Sequence, residues 1–267
     1  MGGSRRARGS GSASGGARRA GGGERLGGLH PIREALRARR RRLGALLLRA
    51  GTRHPGVLEL AGRARADGVE VRELDGAAGE RLAAPGVELE AGPLPELDLE
   101  NLLLALPESA GPQTLVALDG VEDPQNLGAI ARVAEAAGVG GLVLTQRRAP
   151  PLSAVVSRAS AGAIEWLPVG RAPNLSRALE FLQREGFWTL GADAAASESL
   201  FDLPAPLAGA ACVVVLGAEG RGIRQGIGRR IDRMLRIPLG GHVESLNVSA
   251  AAAVLLFELR RRRTDAG

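Results

Sequence analysis

Three segments of the 267-residue chain carry the residues best suited to chemistry, and each begins where an apolar run gives way to glycine and polar side chains. The first, residues 118–132, reads as a strand end, a polar turn and a helix start. Asn126 stands where it could cap that helix, Gly128 allows another element to come close, and Arg132 follows nearly two helical turns on. Taken singly, Asn126 reads as a plain cap and Arg132 as a solvated helix position. The second segment, residues 215–223, is a glycine-rich turn after a buried run and bears Glu219. Glycines at 217, 220 and 222 bring backbone close to something, but not in the order of the dinucleotide fingerprint, which disfavours a nucleotide-binding oxidoreductase. In the third, residues 237–249, the polar Ser245, Asn247 and Ser249 open an otherwise apolar helix. The chemistry on offer is hydrogen bonding by amide, hydroxyl and carboxylate groups beside turns that admit a ligand. His30, His54 and His242 have no carboxylate at a spacing that would activate an imidazole. The single cysteine, Cys212, lies in an apolar run and reads as core, so neither a disulfide framework nor a Cys-rich metal site is expected.

These segments need elements to hold them in place. From Thr114 onward the pattern predicts strands over 115–118, 141–144, 188–191, 211–216 and 235–237, with helices over 127–137, 175–185 and 246–262. Such alternation specifies an α/β fold, a parallel sheet covered on both faces, with ligands beyond the carboxyl ends of its strands. The final helix is apolar on nearly every side and is expected to be buried all round. Upstream, helices over 31–42 and 57–66 with strands over 43–48 and 69–74 make a small α/β domain, residues 29–95. Residues 96–112, rich in proline and acidic side chains, read as a linker to a second domain at 113–263. Residues 1–28 contain eleven glycines and too little apolar surface to fold, and read as a disordered basic tail.

With 45% hydrophobic and 24% charged residues the chain can build such domains. No run approaches the ~20 apolar residues of a membrane span and no signal peptide is evident, so a cytoplasmic protein is expected. All 35 cations are arginine, and they are unevenly spread. Residues 1–28 carry +5 and residues 260–267 carry +3, which leaves −2 on everything between. Basic ends on a near-neutral body fit arms that reach for nucleic acid; the same arginine bias, with tyrosine absent, also fits a GC-rich coding sequence. Four phenylalanines and two tryptophans supply no row of rings for stacking single-stranded bases.

Asn126 with Gly128 and Arg132, then Leu216-Gly217-Ala218-Glu219-Gly220 with Gly222, then Ile237-Pro238 followed by Ser245-Leu246-Asn247-Val248-Ser249, resemble the three motifs of the SpoU (TrmH-like) RNA 2′-O-ribose methyltransferases, in that family's order and spacing. Ser160-Ala161-Gly162-Ala163 before Pro168 resembles a secondary pattern of the family. Residues 28–36 are similar to the start of the small substrate-binding domain of a branch that modifies a guanosine in the peptidyl-transferase region of 23S rRNA. Ala84-Pro85-Gly86 stands where that branch usually has His-Gln-Gly.

The resemblance implies a parallel sheet whose C-terminal segment forms a deep trefoil knot (SPOUT-type), homodimers packed through the knots, and S-adenosylmethionine as cofactor. Leu216, Gly217, Gly220, Ile237 and Leu246 would hold the cofactor. Arg132 matches the residue to which activation of the ribose hydroxyl is ascribed. A guanidinium with a pKa above ~12 is a reluctant base, so Arg132 is expected to grip a phosphate and stabilise the developing alkoxide, while Asn126, Glu219, Ser245 and Asn247 orient Arg132 and the ribose. Beside an RNA-binding domain, Arg39, Arg40, Arg41 and Arg42 are expected to contact RNA phosphates. Large-subunit rRNA is the expected substrate. The alternatives are transfer RNA or another rRNA site, and, from a different class, a non-catalytic RNA-binding assembly factor.

Overall fold

A computed structural model describes residues 23–107 and 111–265. The expected basic tail lies outside the described residues over 1–22, but its last residues are folded. Glu24–Gly27 forms β1, which pairs antiparallel with a later strand and buries Leu26 completely. The small domain therefore begins at Glu24 and not at 29.

That domain continues through α1 (Leu29–Ala38), β2 (Leu43–Arg49), α2 (Pro55–Ala66), β3 (Val71–Leu74), α3 (Gly76–Glu80) and β4 (Val87–Ala91). Its sheet runs in the order β1-β4-β2-β3, with β2 and β3 parallel and β4 antiparallel to both its neighbours. Ile32, Ala35 and Leu36 recur at helical spacing on α1 and pack with Val57, Leu60, Ala61 and Ala64 of α2 over Leu46, Leu48, Val87 and Leu89. Helix α1 ends earlier than the expected 42. Arg39 takes a left-handed conformation (φ 50°) and returns its N–H to the Ala35 carbonyl.

The expected linker is also structured. Leu97 bridges to Gly170, and α4 (Leu99–Leu104) follows, capped by the Asp98 carboxylate, which accepts from the Asn101 N–H at 2.8 Å. Leu102 is fully buried. Leucines at 97, 99, 102, 103 and 106 make this stretch part of the second domain's core.

The second domain comprises β5 (Thr114–Asp119), α5 (Pro124–Ala136), β6 (Gly141–Thr145), α6 (Ala154–Ala159), β7 (Val169–Ala172), α7 (Leu175–Arg184), β8 (Trp188–Ala192), β9 (Glu198–Ser199), α8 (Ala205–Ala208), β10 (Cys212–Gly217), α9 (Gln225–Gly228), β11 (Arg233–Arg236) and α10 (Val248–Asp265). All seven strands are parallel, in the order β7-β6-β5-β10-β8-β11-β9. Successive residues of β5 and β10 serve opposite faces: Val116, Leu118, Val214 and Leu216 join α5 and α10, while Leu115, Ala117, Val213 and Val215 join α4 and α7. Burial on both faces explains why these strands read as unbroken apolar runs. The strand order reverses between β5 and β10.

The two domains are joined by a buried ion pair. Arg41 and Glu165 have side chains 0% and 1% exposed and bond bidentately, Nε and Nη2 of one guanidinium edge each donating to a carboxylate oxygen, the Nε at 3.0 Å. Arg41 also donates to Glu24 at 2.7 Å and to the Gly92 carbonyl at 3.1 Å, and Ser157 donates to Glu165 at 2.8 Å. Burial works against the charge of Arg41, and the two carboxylates more than restore it, holding the guanidinium above its ordinary value. Arg41 is thus closed to RNA phosphates, contrary to expectation. Arg40 is half-buried and donates to the Leu167 carbonyl, and Arg39 pairs with Asp67 at 2.7 Å. Arg42 alone of the four is exposed and without a side-chain partner among the described residues.

The C-terminal arginines are likewise engaged. Arg260 donates to the last-turn carbonyl of Ala136 on α5, Arg262 to the carbonyl of Leu203, and Arg263 to Thr114 and the carbonyl of Ala210. The basic end of α10 fastens the helix down instead of forming a free arm. Nor is α10 buried all round: Val248, Ala252, Leu255, Leu256 and Leu259 face the core, whereas Ala250 and Phe257 are exposed. Cys212 is core, its thiol pushed up by burial against the lowering effect of Arg263. No described helix is long and apolar enough to cross a membrane, and no described cluster of histidine, cysteine or carboxylate groups could hold a metal ion.

Truncating Glu165 to alanine removes the buried one of the two carboxylates that hold the Arg41 guanidinium and is expected to cost about 3 kcal/mol in denaturant unfolding; a loss within error of zero would refute the linkage. Glu258, which bonds Arg261 and Arg262, has its pKa lowered to about 2. A carboxylate depressed on folding contributes stability above its unfolded value of about 4.3 and loses it as pH falls towards its folded one. Glu258→Gln should therefore match the parent protein in stability at about pH 2 and fall below it by pH 5, a difference that acid titrations of both unfolding midpoints will reveal.

Candidate active site

A cleft of about 420 Å³ opens at the carboxyl ends of β8, β10 and β11. Its walls are the turn from Leu216 to Gly222, Ala192 to Ala194 after β8, Leu235, Ile237 and Leu239 around β11, and Ser245 to Val248 leading into α10. Leu216, Gly217, Gly220, Ile237 and Leu246, expected to bind cofactor, all line it, as do Glu219, Ser245 and Asn247. Strands buried on both faces leave their carboxyl edge as the place where polar groups can gather, and a reversal of strand order opens a crevice there.

The turn after β10 has a backbone reason for its glycines. A Cβ on Gly217 would lie 2.0 Å from the carbonyl carbon of Gly222, because the chain folds straight back through a Gly222 N–H to Ala218 carbonyl bond of 2.8 Å. A carboxylate and a guanidinium then pin this turn to the sheet. Asp119, register partner of Gly217 on β5 and fully buried, accepts from the Arg224 backbone N–H and from its Nε, each at 2.8 Å. Neither residue belongs to a motif visible in the sequence. The available signal was a charged residue closing an otherwise apolar strand; the partner lies 105 residues away.

Asn126 does not cap its helix. Asp123 does, its carboxylate accepting from the Gln125 N–H at 2.9 Å, with Pro124 preorganising the first turn. The helix thus starts before Asn126 and frees its side chain to face the cleft mouth. There the Asn126 amide donates to Glu219 and accepts from the Asn247 amide, both at 3.3 Å. Asn247 is held in turn, its oxygen accepting from the backbone and hydroxyl of Ser249 at 2.9 and 2.6 Å. One residue from each of the three segments joins this chain. Glu219 Oε1 has no bond to another described residue and remains available to a ligand. Ser245 lines the cleft without joining the network, and Arg132 stands exposed on α5, outside the cleft lining and unpaired among described residues. Behind α5, Gly128 lets α6 pack closely; a Cβ there would meet that of Ala159 at 2.3 Å.

Comparison with known proteins agrees with this geometry. Residues 113–257 match the model of the SpoU rRNA methylase family, and residues 25–87 match the RNA 2′-O ribose methyltransferase substrate-binding domain. The chain is 35% identical over 243 residues to a Staphylococcus aureus protein assigned to the TrmH family of tRNA/rRNA methyltransferases, covering 90% of this chain and 96% of the relative. It is 38% identical, over 89% of this chain and 96% of the relative, to the Pseudomonas aeruginosa 23S rRNA (guanosine-2′-O-)-methyltransferase RlmB. Among solved structures, an AdoMet-bound rRNA methyltransferase of Sinorhizobium meliloti superposes with a TM-score of 0.71 at 26% identity, covering 90% of this chain and 87% of the other.

Gly217→Ala tests the folded-back turn directly. Hydrogen exchange should quicken over residues 217–224 and stay unchanged over β5 and β6; equal protection of the turn in both proteins would contradict the close approach.

Proposed function

The chain belongs to the SpoU family of RNA methyltransferases, and from that premise we propose that it methylates the ribose 2′-hydroxyl of a guanosine in 23S rRNA with S-adenosylmethionine as donor. The observation that carries this reading is the chain of Glu219, Asn126 and Asn247 across the mouth of the cleft, one group from each expected motif. The cleft suits the donor in size and character. It joins apolar walls at Leu216, Ile237, Leu239 and Leu246 to the carboxylates of Asp193 and Glu219, which favour a cationic ligand, and the absent Gly217 side chain leaves its turn tight. When bound there, S-adenosylmethionine supplies a methyl group on a positively charged sulfur.

The protein's task is then to place one ribose and manage one proton. Asn126 has its amide fixed at both ends and Asn247 at its oxygen, so neither must reorganise when a nucleotide arrives. The free oxygen of Glu219 and the hydroxyl of Ser245 accept and donate to the ribose. Arg132 keeps its five donors for the phosphate of the target nucleotide and for the alkoxide as it forms, while the proton leaves to a phosphate oxygen or water. The apolar exposed side of α10 at Ala250 and Phe257 is the surface through which two copies would pair, and the segment from β10 to α10 the part that would carry the knot of the family. Such an enzyme works in the cytoplasm.

The test is methylation of rRNA and tRNA with labelled donor, with the site mapped by mass spectrometry of 2′-O-methylated nucleosides. A mark at one guanosine of 23S rRNA is expected; label confined to tRNA would move the target, and donor binding without transfer to any RNA would favour an assembly factor. Arg132→Ala should lower kcat on saturating RNA by about 100-fold or more with donor affinity kept within about twofold, and near-normal turnover would remove Arg132 from the mechanism.

A further inference from the structure

A second groove, of about 510 Å³, lies on the same carboxyl edge of the sheet, beyond β6 and β7. It is lined by Arg147 and Arg148 after β6, by Asn174 and Ser176 at the start of α7, and by Arg224. We infer that this groove carries the sugar-phosphate backbone of the RNA substrate beside the nucleotide being methylated. The inference rests on the RNA methyltransferase reading given above and extends it to a surface that reading does not use.

Charge is the first argument. Neither carboxylate nor any other acidic side chain lines the groove, and the exposed guanidinium groups of Arg147 and Arg148 have no partner among the described residues. Several surface arginines elsewhere are paired with carboxylates, Arg25 with Glu88, Arg33 with Glu59, Arg63 with Asp67 and Arg72 with Glu70, and those that stand free, such as Arg42 and Arg132, are single positions outside the groove. Two adjacent arginines left without counterions are the feature expected of a phosphate contact.

Presentation is the second. Thr145 donates its hydroxyl to the Arg147 carbonyl, and Arg148 is held in the left-handed region at φ 63°, a conformation that a non-glycine residue keeps only when its surroundings impose it. The turn therefore points two long cations from a fixed base.

Continuity is the third. Arg224 lines the groove and lies two residues beyond Gly222, where the glycine turn that lines the cleft ends. Its Nε and Nη2 are committed to Asp119, which leaves Nη1 to reach a phosphate while the side chain remains 46% exposed. A strand of RNA with one ribose at the Asn126 network would thus lay neighbouring phosphodiesters along Arg224, Arg148 and Arg147.

The double variant Arg147→Glu/Arg148→Glu tests this in the full chain, with donor binding by calorimetry as the check that fold and cleft are intact. Binding of the methylated RNA should weaken at least tenfold, and the slope of log K against log salt should fall by about 1.4–1.8, two contacts at ~0.7–0.9 each. The variant's KM for RNA should rise while kcat at saturation changes less than about threefold. Arg184→Glu, at the opposite end of α7, places half of that charge change away from the groove and should cost less than threefold. Parent-like affinity and salt slope in the double variant, or an equal loss in Arg184→Glu, would overturn the groove while leaving the methyltransferase reading untouched. Should the charge reversal fail the donor-binding check, Arg147→Ala/Arg148→Ala carries the same comparison with the slope as readout. A parent protein that methylates no RNA overturns the reading under Proposed function, and one that binds no RNA overturns both.

Discussion

The architecture of the site depends on β5 and β10 lying side by side although their first residues are 98 positions apart in the chain. The chain leaves β5 towards β6 and β7 on one side and returns to insert β10 on the other. At that seam two loops that would otherwise never meet share an edge. Asp119 receives Arg224 across it, and Asn126 receives Glu219. The first pair sets the glycine turn against the sheet; the second converts that turn into the wall of a polar site. Parallel strands buried on both faces permit this only at their ends, since a carboxylate midway along β5 would meet leucine and valine on either side.

Arginine does two different jobs in this protein, and composition alone cannot separate them. A run such as Arg39 to Arg42 has the look of a phosphate-binding surface. In the fold it is largely wiring: Arg41 closes the boundary between the domains on Glu165 and Glu24, Arg40 seals the same seam on backbone carbonyls, and the C-terminal arginines tie α10 to α5 and to the start of β5. Guanidinium groups suit this because one head can satisfy several acceptors in a plane while the aliphatic stem packs. Arg147 and Arg148 are neighbours in the chain, line one groove, and find no such acceptor among the described residues.

Much of this was readable from the residues. Strong apolar runs located β2, β5, β6, β8 and β10, glycines stopped α5 and α7, and the three polar segments converge as their order implied. What escaped reading had physical causes. The four residues of β1 are too few to show a period, and β4, Val-Glu-Leu-Glu-Ala, alternates over only five residues; both form because pairing with each other buries Leu26 and Leu89. Leu97 to Leu106 reads as a linker until its leucines find the outer face of β7. Asn126 looks like a cap because caps favour asparagine, but Asp123-Pro124 starts the helix first. The partners of Arg41 and Asp119 lie more than a hundred residues distant, beyond any local pattern.

The insertion of β10 between β5 and β8 also has a consequence for how the protein comes into being. While a ribosome is making the chain, β5 emerges with one side vacant, and the strand that fills it follows 98 residues later, an interval of about 5–20 s at ordinary elongation speeds. During that time a strand that is buried along its whole length in the finished sheet presents an open edge, and Glu219 and Asn247 do not yet exist. The nascent chain therefore passes through a stage that is sticky and inert, and acquires its cleft only once the segment up to Asn247 has been made.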